Sequence, residues 1–377
     1  MSRFIPYGRQ SIDEGDVKAV GAALLDDFIT TGPKVAAFEK EMAAYCGARY
    51  AVAVSSGTAA LHIASLALLE PGWKVLVPPN TFLATANAAL YAGAKPVFVD
   101  IAEDGNIDLD LCEEALRNDP GIRALYAVHF SGNPVDQKRL ARLKARYGIV
   151  VLEDCAHSLG ASQGGIKAGG CAHSEASIFS FHPVKHLTTG EGGMVTTNDE
   201  ALYRKLLALR NHGIVKTPDM APWEYEMRTL GFNYRITDVQ CALGLSQLEK
   251  LDRFIAKRRA LARRYDEAFK DHPLIEPLYP YSDDSSYHLY VVLIDFERAA
   301  CDRRGLFERM RERGIGLQVH YIPVNRQPYY RALGYGEEPT PVMDRYYARC
   351  VSLPLFPDLS ESEQDRVVAT LKELIGG

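Results

Sequence analysis

Between about residues 50 and 154, short segments that are apolar on both faces alternate with helical patterns, and few architectures accept that arrangement. The expected strands are Tyr50–Ser55, Lys74–Pro78, Pro96–Ile101, Ala124–Phe130 and Ile149–Leu152. Between them the periodicity predicts helices over Thr58–Leu69, Thr81–Tyr91, Leu109–Leu116 and Val135–Tyr147. A strand without a polar face must be covered on both sides, and an intervening helix supplies the crossover that parallel pairing needs. The chain therefore reads as α/β, with a mostly parallel central sheet flanked by helices.

Beyond Asp154 the pattern changes. Ser177–Phe181 and Met194–Thr197 read as short strands around the turn Gly190-Glu191-Gly192-Gly193. One long helix is expected from Asp238 to Ala268, followed by strand Tyr287–Ile294, a helix near Gly305–Arg313 and strand Leu317–His320. These imply a large α/β domain over 1–250 and a smaller α+β domain over 251–377, although no Pro/Ser-rich linker marks the join.

Composition narrows the function. A formal net charge of −5 leaves no basic footprint for nucleic acid. The seven cysteines are scattered and form no CxxC pair, which fits a reduced cytoplasmic protein and argues against a structural metal site. No signal peptide opens the chain and no apolar run reaches the length of a membrane span, so no membrane partner is expected.

Three places carry chemistry. Ser180-Phe181-His182-Pro183-Val184-Lys185 puts a lysine just after a buried strand and before a Thr/Gly-rich turn. A lone lysine in a loop is ordinarily a solvated surface residue, but a desolvated one becomes a nucleophile toward carbonyls. Asp154 closes the strand Val150-Val151-Leu152-Glu153, at the carboxyl edge where open α/β sheets bind ligands. It is either a turn cap or a partner for a protonated ring nitrogen. Ser55-Ser56-Gly57-Thr58 lies at a strand-to-helix turn and is either a plain N-cap or a phosphate cradle. Phe82, at the start of the next helix, is either core or an aromatic lid for a cofactor ring.

In this order these segments resemble the DegT/DnrJ-type sugar-nucleotide aminotransferases, pyridoxal-phosphate enzymes of fold type I. The likeness extends from Ser11-Ile12-Asp13 and Thr30-Thr31-Gly32-Pro33 through Gly231-Phe232-Asn233-Tyr234-Arg235 to Ser352-Leu353-Pro354. The resemblance implies that Lys185 condenses with pyridoxal 5′-phosphate and shuttles the substrate proton. It implies that Asp154 binds the pyridine nitrogen and that Phe82 stacks on the ring. Ser56, Gly57, Thr58 and Ser180 would hold the phosphate, with Asn233 reaching it from the neighbouring subunit of a homodimer. His157 stands where many relatives carry Gln for the ring hydroxyl. Relatives with His at the lysine position dehydrate sugars, so Lys185 favours the transaminase branch.

Two further stretches, Ser286-Tyr287-His288-Leu289-Tyr290 and Gln318-Val319-His320-Tyr321-Ile322-Pro323, look like the pseudaminic-acid pathway branch. That implies L-glutamate as amino donor and a UDP-linked 4-keto-6-deoxy-N-acetylhexosamine as acceptor, with His182, Arg235, His320 and Tyr321 lining the sugar pocket. Rival readings are a GDP- or dTDP-linked keto sugar and a silent binding protein, although the latter would be expected to lack Lys185 or Asp154. A nicotinamide enzyme would need a GxGxxG fingerprint, which the sequence does not contain.

Overall fold

A computed structural model describes residues 4–376. Seven strands form the central sheet: β1 (Tyr50–Val54), β2 (Lys74–Val77), β3 (Lys95–Phe98), β4 (Ile122–Val128), β5 (Val150–Asp154), β6 (Ala176–Ser180) and β7 (Gly193–Thr197). Their spatial order is β1-β7-β6-β5-β4-β2-β3. Strand β7 is antiparallel to both β1 and β6, and every other neighbouring pair is parallel.

The doubly apolar strands do what their composition requires. Val75, Val77, Ala124, Tyr126 and Leu152 pack with the helices Gly57–Leu68 and Leu83–Tyr91 on one face. Their alternates Leu76, Leu125, Ala127 and Val151 pack on the other face with the helices Leu109–Asn118 and Gln137–Tyr147. The expected α/β architecture is present.

A second sheet of β8 (Ile275–Pro277), β9 (Tyr290–Ile294) and β10 (Cys350–Leu353) is antiparallel and shares a core with the helices Arg303–Glu312 and Glu361–Ile375. Ile5 joins that core and bridges to Ile315. The helix Leu251–Phe269 serves both cores: Leu251 and Ile255 pack with the large one, and Leu261, Tyr265 and Phe269 with the small one. We propose that the division falls inside this helix rather than at 250.

Three expected elements differ. The long helix from Asp238 is two helices, Asp238–Leu248 and Leu251–Phe269. Between them the chain tightens, as the Lys250 N–H turns back to the Gln247 carbonyl. Leu317–His320 makes only an isolated bridge from Gln318 to Ser352, and the next carbonyl facing that strand, His320 O, accepts instead from the Tyr346 hydroxyl. Residues 287–289 lie outside β9: the N–H of Ser286 goes to Gly132 and that of Leu289 to Ser131, and Tyr287 has φ of 48°.

One buried carboxylate fastens the two parts together. Asp100 accepts from its neighbour Ile101 N–H and from the Val342 and Met343 N–H groups that open the helix Pro341–Arg349. Asp100→Ala leaves all three donors unmatched, and it is expected to lower stability by about 2–4 kcal/mol in urea unfolding.

Candidate active site

The carboxyl ends of β1, β2, β5 and β6 open onto one cavity of about 580 Å³. Open α/β sheets bind ligands at this edge because helix N-termini and strand-end loops converge there.

Lys185 enters the cavity from a closed loop. The Phe181 N–H bonds to Gly192 O, and Phe181 O accepts from both the Thr189 N–H and the Thr188 hydroxyl. The turn at Gly190, with φ of 79°, completes the loop. Burial pushes the Lys185 amine down from 10.5 to about 8; the Asp154 carboxylate pulls the other way and the Arg258 guanidinium adds to the depression. The amine is thus poised near neutrality.

Asp154 is buried and sits in the same cavity. Thr85 Oγ1 donates to its Oδ2 at 2.7 Å, and the Ala156 N–H donates to its Oδ1 at 3.1 Å. Thr81 in turn bonds to Thr85 at 2.8 Å. This set fixes the carboxylate without a cationic partner and leaves it able to receive a positive group from the cavity.

At the cavity's edge, Ser56 caps the helix Gly57–Leu68 by accepting from the Ala59 N–H at 3.0 Å. The first N–H groups of that helix remain for a phosphate. A Cβ at Gly57 would come within 2.8 Å of Ser180 Cβ, and one at Gly193 within 2.3 Å of Ser56 O. Only glycine permits this close approach of strand end, loop and helix start. Ser56, Gly57, Thr58 and Ser180 together make a neutral, donor-rich cradle.

The aromatic wall is denser than the sequence suggested. Phe82 stands at the mouth with its ring centroid 6.2 Å from that of Tyr321. The Tyr321 hydroxyl meets His157 Nε2 at 3.1 Å, and His157 lies against His288 with centroids 4.3 Å apart. Burial, the charge of Lys185 and the neighbouring histidines hold His157 well below the usual imidazole range, so it is neutral. Burial likewise takes His320 down to about 3, with Lys185 adding to it, and His320 Nδ1 meets Ser352 Oγ at 2.8 Å.

The structure gathers Ser56, Gly57, Thr58, Phe82, Asp154, His157, Ser180, His182, Lys185, His320 and Tyr321 around one cavity. Two expected residues do not line it. Asn233 is exposed on the surface beside Asn211. Arg235 lies outside the lining of this cavity, and its Nη1 donates to Asn211 Oδ1 at 2.7 Å. Sequence reasoning missed Tyr7, Thr85, Gln318 and Gln327, and it gave His288 no role. The Thr81/Thr85 pair, four apart at a helix start, was a usable signal; the others arrive through tertiary contacts.

The residues fit a phosphorylated pyridine aldehyde: a cradle that a Cβ would fill, a partly neutral amine, and a buried carboxylate with spare acceptor capacity.

Comparison with known proteins agrees. A family model described as the DegT/DnrJ/EryC1/StrS aminotransferase family matches residues 10–372. The UDP-4-amino-4,6-dideoxy-N-acetyl-beta-L-altrosamine transaminase of Campylobacter jejuni strain 81-176 is 41% identical over 98% of this chain and 97% of its own. The structure of Helicobacter pylori PseC, an aminotransferase involved in the biosynthesis of pseudoaminic acid, superimposes with a TM-score of 0.93 at 32% identity, covering 99% of each chain. The PMP-form of Spr1654, a sugar aminotransferase of Streptococcus pneumoniae, gives 0.90 at 29% identity over 98% of each chain; that protein has also been solved in a PLP-form. With its lysine, carboxylate and cradle in one cavity, the chain belongs to the DegT/DnrJ/EryC1/StrS aminotransferase family and is a pyridoxal-phosphate-dependent enzyme.

Proposed function

We propose that this enzyme moves the amino group of L-glutamate to C4 of a UDP-linked 4-keto-6-deoxy-N-acetylhexosamine, in the synthesis of pseudaminic acid or a related surface sugar. The observation that carries the reading is the convergence of Lys185 and Asp154 on one cavity beside a phosphate cradle. The choice of sugar is supported by the full-length similarity to the Campylobacter transaminase.

When bound, the cofactor supplies an aldehyde for amine exchange and an electron-withdrawing ring. The chain's own residues do the rest. Ser56, Gly57, Thr58 and Ser180 anchor the phosphate at the helix N-terminus. Asp154, oriented by Thr85 and Ala156, balances a proton on the ring nitrogen. Phe82 would cover the ring face, and His157, held by Tyr321, would meet its edge. Lys185, with its amine near 8, takes a proton at one step and returns it at the next. His182, His320 and Tyr321 face the space where donor and sugar bind in turn. His320 is neutral there and acts by hydrogen bonding rather than as a cation.

We further infer that the enzyme works as a homodimer in the cytoplasm. Among the described residues that line the cavity there is no arginine, although a sugar nucleotide brings a diphosphate. Val17, Leu24, Leu25, Phe28 and Ile29 are exposed apolar side chains near the chain's start, suited to a second copy. Asn233 is exposed and free to enter that copy's site. The seven cysteines are free, which agrees with a reducing compartment. No described helix is long and apolar enough to cross a membrane.

The test is a panel of UDP-, dTDP- and GDP-linked keto sugars assayed with glutamate. The UDP-linked 4-keto-6-deoxy-N-acetylhexosamine is expected to lead in kcat/KM by about 100-fold. A faster dTDP- or GDP-linked acceptor would assign the enzyme to a different sugar pathway.

A further inference from the structure

Three buried imidazoles touch in series: His157 lies 4.3 Å from His288, and His288 lies 5.6 Å from His186, centroid to centroid. Burial keeps all three well below the usual imidazole range, so each carries a single ring proton. In each, Nδ1 is sealed in protein without a partner. His186 shows which nitrogen holds the proton. Its Nε2 meets the Ser286 carbonyl at 3.1 Å, and a carbonyl can only accept. Nε2 is therefore protonated there, and the sealed Nδ1 is a bare lone pair. Orphaned buried N–H groups are rarer than orphaned acceptors, so His157 and His288 take the same tautomer.

At His157 this decides the direction of a hydrogen bond. Its Nε2–H donates to the Tyr321 oxygen at 3.1 Å, which turns the Tyr321 proton elsewhere. No described residue accepts that proton, and Tyr321 lines the cavity. His288 also lines the cavity, and its Nε2 has no protein partner among the described residues, yet is not sealed as its Nδ1 is. The His288 backbone is held firmly. Its carbonyl accepts from Arg258 Nη1 at 3.2 Å, the following N–H goes to Ser131 O, and a Cβ on Gly132 would come within 3.0 Å of His288 N. The cavity thus receives two neutral donors whose protons the protein leaves unused.

We propose that Tyr321 O–H and His288 Nε2–H both donate to the ring oxygen of the bound cofactor, with His157 as the positioning residue that turns the Tyr321 proton towards it. This rests on pyridoxal phosphate being bound at Lys185. The cofactor's phosphate arm and ring hydroxyl stand on opposite flanks of the line from its nitrogen to its aldehyde. With the arm in the Ser56–Ser180 cradle and the nitrogen at Asp154, the hydroxyl is directed to the flank away from the cradle. The cradle's strands β1 and β6 lie to one side of β5 in the sheet. His157 follows β5, and Tyr321 and His288 come from segments beside the second sheet. A pair of donors there stabilises the ring oxygen as an anion.

The experiment compares three variants of the holoenzyme. Tyr321→Phe keeps the ring and loses the hydroxyl, His288→Phe keeps an aromatic against His157, and His288→Gln restores a donor. The readout is the pH midpoint of the bound cofactor's visible band. Asp154, Lys185 and Glu191, the carboxylates and the amine that line the cavity, are untouched in all three. Tyr321→Phe and His288→Phe are each expected to raise the midpoint by about one unit, because the ring oxygen loses a donor and becomes more basic. His288→Gln is expected to stay within about half a unit of wild type. A neutron structure of the wild-type holoenzyme is expected to show a proton on His157 Nε2 and none on Nδ1. An unmoved midpoint in either phenylalanine variant, or a proton on His157 Nδ1, overturns the proposal. Borohydride reduction followed by peptide mapping checks its footing: a cofactor label on another lysine would instead overturn the role of Lys185. Should His288→Phe fail to fold, Tyr321→Phe decides with the same readout.

Discussion

Lys185→Ala is expected to lose at least about 10⁴-fold in kcat, since one side chain holds the cofactor and moves the proton. The variant should still fold. The folded chain holds the amine near 8 against 10.5 in an open chain, so the unfolded state binds the proton more tightly. Stability from this group therefore rises with pH between about 8 and 10.5 and is at its lowest below that window. Alanine removes the penalty, and at pH 7 its melting temperature should match or exceed that of the parent. Residual turnover within tenfold of wild type would contradict the role of Lys185.

Asp154→Asn is expected to lower kcat by about 10²–10³-fold while the protein remains folded. The amide is nearly isosteric and its oxygen still accepts from Thr85 or from the Ala156 N–H. What it lacks is the negative charge that balances a protonated ring nitrogen. A second consequence falls on the lysine. Asp154 raises the affinity of Lys185 for its proton, so the asparagine variant should move the lysine's midpoint below about 8. An unchanged kcat together with an unmoved midpoint would show that the carboxylate does not face the lysine.

The sheet was legible because it follows from local composition. Runs such as Val75–Val77 and Val150–Leu152 are apolar on both faces, and that alone demands helices above and below. Lys185 and Asp154 were legible because one follows and the other ends a buried strand at the sheet's carboxyl edge. The phosphate cradle was half legible. Ser56-Gly57-Thr58 announces a helix start, but its approach to Ser180 and Gly193 depends on β7 returning antiparallel between β6 and β1.

Other features have no local signature. His157 meets Tyr321 across 164 positions, and Arg258 reaches Leu355 across 97. Arg235 donates through Nη1 to Asn211, 24 residues away, at the base of the exposed segment that carries Asn233. The strand expected at Leu317–His320 stops at one bridge, because the His320 carbonyl is used by the Tyr346 hydroxyl, 26 residues on, as the segment turns towards the cavity.

A crystal structure of the holoenzyme, grown without amino donor, tests the central claim most directly. The account predicts unbroken density from Lys185 Nζ to the cofactor's aldehyde carbon, with an Asp154 oxygen about 2.7–2.9 Å from the ring nitrogen. Density joining the cofactor to a different lysine, or a ring nitrogen facing away from Asp154, would contradict it.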